Sequence, residues 1–366
     1  MTEAASEFEV RRDALAETRV TAHEVPTPEE GHIVMKVDRF ALTANNITYA
    51  VFGTAMRYWD FFSEPGEWGR VPVWGFGDVL ASRHPGIAEG TRVYGYFPMA
   101  THRLALVARA DAGGFVDGSG VRGELAPVYS RYMTTSADPL YAAGDEDQIM
   151  LFRPLFTTSF ILDDWLAENG FFGARRVILS SASSKTSLGL AYLLKHGRDS
   201  DVRVAGLTSA GNRGFVAKTG CYDEVIGYDE LESLDASLPA AFVDMAGNSS
   251  VRAALHRHYG DALKLSSAVG GTHWQAVGGG QEGLPGPAVE LFFAPTHIER
   301  RIAQWGGARF QDRIAAAWHD FIPSAKRWIA VSHGFGPDAV EAAYQEVLAG
   351  RTPPDRAHVL SLWHRS

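Results

Sequence analysis

Between residues 177 and 207 the sequence reads strand, turn, helix, strand, and this succession limits the fold more than any other stretch of the chain. Val177-Ile178-Leu179-Ser180 is a short apolar run suited to a buried strand. Ser187 to Lys195 then carries apolar residues at Leu188, Leu190, Ala191 and Leu194, and Val202-Arg203-Val204-Ala205-Gly206-Leu207 is the next strand. Such a βαβ unit implies a parallel sheet covered by helices. Val225-Ile226, Ala241-Phe242-Val243 and Leu263 to Ala268 supply further strands, with a helix near Val251 to His258, so the unit repeats as in a doubly wound sheet. After the Gly-rich connection Gly278 to Gly283, Val289 to Phe293 reads as another strand and Thr296 to His319 as one long amphipathic helix.

The first part of the chain has a different character. From Arg19 to about Ala108 it runs in short alternating segments broken by Pro and Gly, including His32 to Ala41, Pro72 to Ala81 and Thr91 to Phe97. With 366 residues the chain is too long for one ordinary core, and a β-rich domain over 1–145 followed by an α/β domain over 146–324 accounts for both halves. Lys and Arg number 34 against 43 Asp and Glu, a net charge of −9, so a basic footprint for nucleic acid is missing. The single cysteine, Cys221, excludes an internal disulfide, a Cys-rich zinc site and a cysteine-ligated iron–sulfur cluster. The best apolar stretch, Phe156 to Leu166, is broken by Thr157, Thr158, Ser159, Asp163 and Asp164, too polar to span a membrane. Together with the acidic residues near Met1, this leads us to expect a cytoplasmic protein. Neither G-x-S-x-G nor H-E-x-x-H occurs, so hydrolase chemistry finds no positive support.

In a dinucleotide fold the pyrophosphate lies over the turn between the first strand and its helix. Here that turn is Ser180 to Ser187; it has no glycine and fails the G-x-G-x-x-G pattern, yet every crowded point carries a small residue. Ser184 and Ser187 offer hydroxyls to phosphate oxygens and Lys185 offers charge, although a serine-rich helix cap with a solvated lysine reads equally well. Ser184-Lys185-Thr186 lacks the glycines of a P-loop. At the end of the next strand, Gly206 to Arg213 contains no acid to hold a ribose diol, but Ser209 and Arg213 suit a 2′-phosphate; Arg213 is otherwise an ordinary surface cation. His256 and His258 read as solvated surface, His102 as a weak site candidate, and His273, just past a strand, as a substrate-pocket residue.

With these pieces in place the chain resembles the medium-chain dehydrogenase/reductase superfamily, in particular its zinc-free quinone oxidoreductase and alkenal reductase branch. The resemblance runs through Pro28 to Val37, Thr43 to Tyr49, Ile87 to Gly95, Pro154 to Ser159, the serine-rich turn, Tyr222 to Tyr228 and finally Ala343 to Gly350 with Ala357 to Leu360. It implies a GroES-like catalytic domain over 1–145, completed by about 325–366, and a Rossmann-type cofactor domain over 146–324. It further implies NADP(H), with Ser184, Lys185, Ser187, Ser209, Arg213 and Tyr228 as cofactor-binding residues, since Tyr228 and Arg213 fall on the family's 2′-phosphate positions. Tyr49 matches the tyrosine beside the nicotinamide, with Asn46 and Thr158 as further catalytic positions. Asn45, Tyr58, Trp59 and His273 are expected to line the substrate pocket, the aromatic segment Met56 to Trp68 forming a lid, a wall or simply packing. Zinc relatives need an early cysteine, which Cys221 cannot supply, so no metal is expected. The expected partners are a small-molecule substrate and a second copy of the chain, not nucleic acid or membrane. Two functions follow: hydride transfer to a small apolar enone, quinone or carbonyl compound, or, because the turn has lost its glycines, a dehydrogenase-like scaffold that binds a ligand or performs redox-neutral chemistry without a dinucleotide.

Overall fold

The structure is a computed structural model that describes residues 4–125, 127–198, 201–269 and 283–365. His273 therefore lies outside the described residues. Two compact units result, Met1–Leu151 with Ile329–Ser366, and Phe152–Trp328.

In the first unit β1 (Ala5–Arg11) pairs with β2 (Ala14–His23), burying Phe8 and Val10 completely while Glu9 holds Arg19 at 2.8 Å. Then follow β3 (His32–Leu42), α1 (Ala44–Val51), β4 (Trp68–Gly69), β5 (Pro72–Ser82), β6 (Arg92–Pro98), β7 (His102–Asp111), β8 (Gly114–Asp117) and β9 (Arg131–Thr134). The order β3-β5-β6-β9-β8-β7 closes on itself, because β7 also pairs antiparallel with β3. Closure removes the sheet edges that a flat meander would expose. Gly95 allows it: a Cβ there would lie 2.4 Å from the Tyr132 ring on the neighbouring strand. Arg92 on β6 gathers Asp38, Asp78 and Glu146 within 3.0 Å.

Helix α2 (Glu146–Glu168) starts in the first unit and ends in the second. The second unit continues with β10 (Arg176–Leu179), α3 (Lys185–His196), β11 (Arg203–Thr208), α4 (Arg213–Thr219), β12 (Glu224–Gly227), β13 (Ala240–Asp244), α5 (Ser249–Tyr259), β14 (Leu263–Val269) and β15 (Val289–Phe292). Its sheet is parallel in the order β12-β11-β10-β13-β14-β15. That is the doubly wound order, with the topological switch between β10 and β13, where ligands bind at the carboxyl ends of the strands. The long helix expected from Thr296 is instead two, α6 (Ala294–Trp305) and α7 (Gly307–Trp328), because Gly306 adopts a φ of 83° that a continuous helix cannot accommodate. The chain then returns to the first unit as β16 (Ala330–Phe335), α8 (Pro337–Leu348) and β17 (Arg356–Ser361), β17 pairing with β3. Among the described residues no helix is long and apolar enough to cross a membrane. The architecture is α/β, a GroES-like β-barrel plus a Rossmann-type parallel sheet.

One histidine reading is corrected. His256 is fully buried: Nδ1 lies 2.8 Å from the carbonyl of Pro285 and Nε2 2.9 Å from Ser266 Oγ. Since a carbonyl only accepts, Nδ1 donates to Pro285, and the two contacts tie α5 to β14. His258 is also engaged, at 2.6 Å from the carbonyl of Leu234.

Candidate functional site

In the second unit the turn after β10 is held from below. Ser180 Oγ donates to Asp244 Oδ1 at 2.8 Å and accepts from the N–H groups of Met245 and Ala246, joining the ends of the two switch-point strands. Asp244 also accepts from Arg252 at 2.7 Å, both side chains being almost fully buried. Ser181 follows with a φ of 51°, the left-handed region that favours glycine, and its N–H donates to Tyr228 Oη at 2.8 Å. Ser184 caps α3, accepting from the Ser187 N–H and donating to Ser187 Oγ. Ser187 in turn donates to the carbonyl of Ser180 at 2.9 Å.

Lys185 is the first residue of α3, where the helix dipole already favours an anion. No carboxylate pairs with it among the described residues; its ammonium lies 5.9 Å from the Phe152 ring, and burial pulls it down to about 8. At the end of β11 Ser209 is exposed, Asn212 Nδ2 donates to Ser183 Oγ at 3.0 Å, and Arg213 pairs with Glu230 at 2.8 Å in the open. Thr158 Oγ1 points back to the carbonyl of Pro154 at 3.5 Å, whereas its neighbour Ser159 donates to the carbonyl of Thr186 at 2.8 Å and ties α2 to α3. Cys221 is buried, its thiol pushed up to about 12, and no cluster of His, Cys, Asp or Glu fit for a metal occurs among the described residues.

The first unit holds a nest of aromatic rings. Tyr49 on α1 accepts from Asn45 Nδ2 at 2.7 Å, and its ring lies 4.5 Å from Tyr58, 5.7 Å from Tyr96 and 6.3 Å from Tyr129. Register explains the grouping, because Trp74 on β5 stands opposite Tyr96 on β6 and Phe76 opposite Tyr94, so these rings share one face. Burial pushes the Tyr49 phenol up to about 12, against the polar pull of Trp74, Asn45 and Tyr129. Tyr96 and Tyr129 are raised well above the ordinary phenol value, first of all by burial. The Tyr96 hydroxyl finds no hydrogen-bond partner among the described residues, whereas the Trp74 indole acts on the Tyr49 phenol. Behind the nest Arg122 is fully buried, donating to the Tyr129 carbonyl at 2.6 Å with its guanidinium 4.8 Å from the Phe62 ring. It shares one carboxylate, Asp117, with the partly buried Arg103, so two cations face a single buried anion.

A family model described as "Protein of unknown function (DUF2855)" matches residues 40–353. The chain belongs to this family. No curated protein matches this DUF2855 chain. Several solved structures do. CurA from Vibrio vulnificus in complex with NADPH is 14% identical, with a TM-score of 0.59 over 99% of this chain and 100% of that one. The quinone oxidoreductase from Coxiella burnetii is 12% identical at a TM-score of 0.57, covering 98% and 99%. Mycobacterial Rv1454c complexed with NADPH is 17% identical at 0.55, again covering 98% and 99%. These likenesses show that the DUF2855 chain has the medium-chain dehydrogenase/reductase fold.

Within this DUF2855 fold the candidate residues divide. Asn45, Tyr49 and Tyr58 come together in the nest. Asn46 does not offer itself to a substrate: its Oδ1 accepts from the Thr43 N–H at 2.8 Å and its Nδ2 donates to the carbonyl of Pro72, so it caps α1. Trp59 is core, wedged against Gly53 and Gly69, where a Cβ would come within 2.7 Å of its ring. Ser187 likewise spends its hydroxyl inside the fold, and Ser184 spends its own on the helix cap. His102 is buried with its ring against Trp363. The sequence reading missed Trp74, Tyr96, Arg122 and Tyr129; the aromatic alternation of β5 and β6 was the available signal for the first two.

Proposed function

We propose that the chain is an NADPH-dependent oxidoreductase that reduces a small apolar quinone, enone or carbonyl compound without zinc, the first unit serving as catalytic domain and the second as cofactor domain. The observation that carries this reading is Lys185, a largely buried cation without a carboxylate partner at the amino end of α3, directly after the first strand of a doubly wound sheet. A cation left unpaired there costs stability and is explained by an anionic ligand. Two solved structures of the same fold hold NADPH, which agrees with it.

Under this reading Lys185 and the first turn of α3 hold the pyrophosphate, while Ser209, Arg213 and Tyr228 hold the 2′-phosphate, with Glu230 competing for Arg213. Bound NADPH would supply the hydride. A phenol is protonated at neutral pH and burial holds Tyr49 so to higher pH still, so in this reading it donates a hydrogen bond to the substrate oxygen rather than acting as a base. Asn45 orients that phenol from one turn away. Titration of the protein with NADPH, read by energy transfer from its tryptophans, should saturate; absence of saturation at millimolar cofactor overturns the reading.

One observation favours a second reading, a ligand-binding or redox-neutral scaffold without a dinucleotide. The Ser181 N–H is already taken by Tyr228, and the Ser184 and Ser187 hydroxyls are spent internally. If that is the function, a Ser184→Gly/Ser187→Gly variant gains NADPH affinity that the native chain lacks.

A further inference from the structure

The chain has six lysines, and five of them are ordinary. Lys36 lies 4.4 Å from the centre of the Trp363 ring, Lys195 pairs with Asp223 at 2.9 Å, Lys264 donates to the carbonyl of Asp261 at 2.8 Å, Lys326 is engaged, and Lys218 is exposed to water. Lys185 differs from all of them. No carboxylate pairs with it among the described residues, and its amine lies instead 5.9 Å from the fully buried ring of Phe152. It is also the first residue of α3, so a charge on it sits at the positive end of the helix. Part of the residue remains accessible, so a small molecule can reach it.

An apolar neighbour and a helix start both disfavour the ammonium and favour the free amine. Burial pulls it down to about 8, so at pH 7 roughly a hundred times more of it is unprotonated than of a lysine at its ordinary value. A desolvated, unprotonated lysine amine is the form that attacks a carbonyl carbon. Beside it the first N–H groups of α3 have no carbonyl within the helix to bond; Ser184 Oγ takes that of Ser187, which leaves those of Lys185 and Thr186 for an anion. A nucleophilic amine and two backbone donors at one place describe a ligand with a carbonyl carbon and an anionic group.

We propose that Lys185 captures a small aldehyde or ketone bearing a phosphate or carboxylate, as an imine, with the anionic group on the first turn of α3. The nitrogen lone pair adds to the carbonyl carbon. The carbinolamine then loses its oxygen as water, together with both hydrogens of the amine, and the C=N bond forms. No electrons are gained or lost overall, so the step needs neither NADPH nor an oxidant. It goes beyond the reductase reading and does not rest on it; under that reading NADPH competes for the same amine.

The experiment incubates the full chain at pH 7 with pyridoxal 5′-phosphate, reduces it with sodium borohydride, and locates the modified lysines by mass spectrometry of a digest. Lys185 is expected to react about tenfold faster than Lys218, and pyridoxal, which lacks the phosphate, is expected to modify Lys185 about tenfold more slowly. Lys218→Met should leave the modification of Lys185 unchanged, whereas Lys185→Met should remove it. The native chain reports the position directly, so the outcome does not depend on how either variant folds. Modification of Lys185 no faster than that of Lys218, or equal modification by pyridoxal and its phosphate, overturns the proposal. A parallel NADPH titration separates the two readings. Selective modification without NADPH binding upholds the capture and removes the reductase, and NADPH binding without selective modification does the reverse; where both occur, bound NADPH should protect Lys185.

Discussion

Replacing Lys185 by Met should make the protein more stable and bind NADPH less well. A lysine that ionises near 8 in the folded chain instead of at 10.5 costs the folded state about 3 kcal/mol at neutral pH, at 1.36 kcal/mol per pH unit. Because the side chain is not completely enclosed, about 2 kcal/mol is the figure to expect. Methionine keeps the length and the contact with Phe152 while removing the charge. The sign follows from protons bound: below pH 8 both folded and unfolded lysine are charged and the penalty is full, and between about 8 and 10.5 the folded amine is neutral and the penalty fades. Urea unfolding followed by tryptophan fluorescence should therefore show Lys185→Met ahead by about 2 kcal/mol at pH 7, with the advantage shrinking above pH 8 and gone by about 10.5. In the same variant NADPH should bind about tenfold more weakly, through the lost charge-assisted contact. A destabilised variant would mean that the lysine is compensated within the fold, and unchanged NADPH affinity would mean that it does not serve the phosphates.

Other consequences are local. Glu230→Gln frees Arg213 from its 2.8 Å partner and should strengthen NADPH binding severalfold over NADH, whereas Arg213→Glu should abolish that preference, both read by cofactor titration. Asp244→Ala strands the buried Arg252 guanidinium and should cost about 3–5 kcal/mol in urea unfolding, much of it recovered in the Asp244→Ala/Arg252→Met double variant. Gly95→Ala drives a methyl to 2.4 Å from the Tyr132 ring and should lower stability by about 1–3 kcal/mol, seen as a lower Tm. Ser181→Gly should change stability by less than about 1 kcal/mol, since relief of its left-handed backbone and the added chain entropy oppose each other, whereas Tyr228→Phe should cost about 1–3 kcal/mol by leaving the Ser181 N–H unpaired.

The sheet of the second unit was legible in the sequence because a parallel strand buried on both faces must be a run of apolar residues, as Val177 to Leu179 and Ala241 to Val243 are. The helix after the turn was legible for the same reason, its apolar stripe facing that sheet. Polar residues were harder, since a side chain that serves the fold and one that serves a ligand look alike in one dimension. Asn46 and Ser187 carry the right chemistry for a site, but the atoms nearest them are the backbone of Thr43, Pro72 and Ser180, which only the fold brings there. His256 shows the converse: spacing placed it on the surface, and a carbonyl 29 residues away in sequence buries it. The nest escaped for a related reason. Tyr49, Tyr96 and Tyr129 are far apart along the chain and meet only because β5 and β6 pair in the register that sets Trp74 beside Tyr96.

That lesson bears on the turn that has lost its glycines. Read as a string, Ser180 to Ser187 is a broken fingerprint, since a serine pays for the left-handed conformation that glycine adopts freely. In the fold, Ser181 takes that conformation all the same, and Tyr228 from the end of β12 accepts its N–H. The tyrosine offsets part of the serine's strain, and its phenol stands beside the turn from which a phosphate would be held. Lys185, four residues on, then adds a charge that the ordinary glycine turn does not have. Lost backbone access and gained side-chain charge act in opposite directions on an anion at this turn. Which dominates is a matter of magnitude: one N–H bond is worth about 1 kcal/mol net, and a contact from a poorly solvated ammonium about twice that. Under the proposed NADPH reading, those values place the hold on a pyrophosphate with the Lys185 side chain rather than with the backbone of the turn.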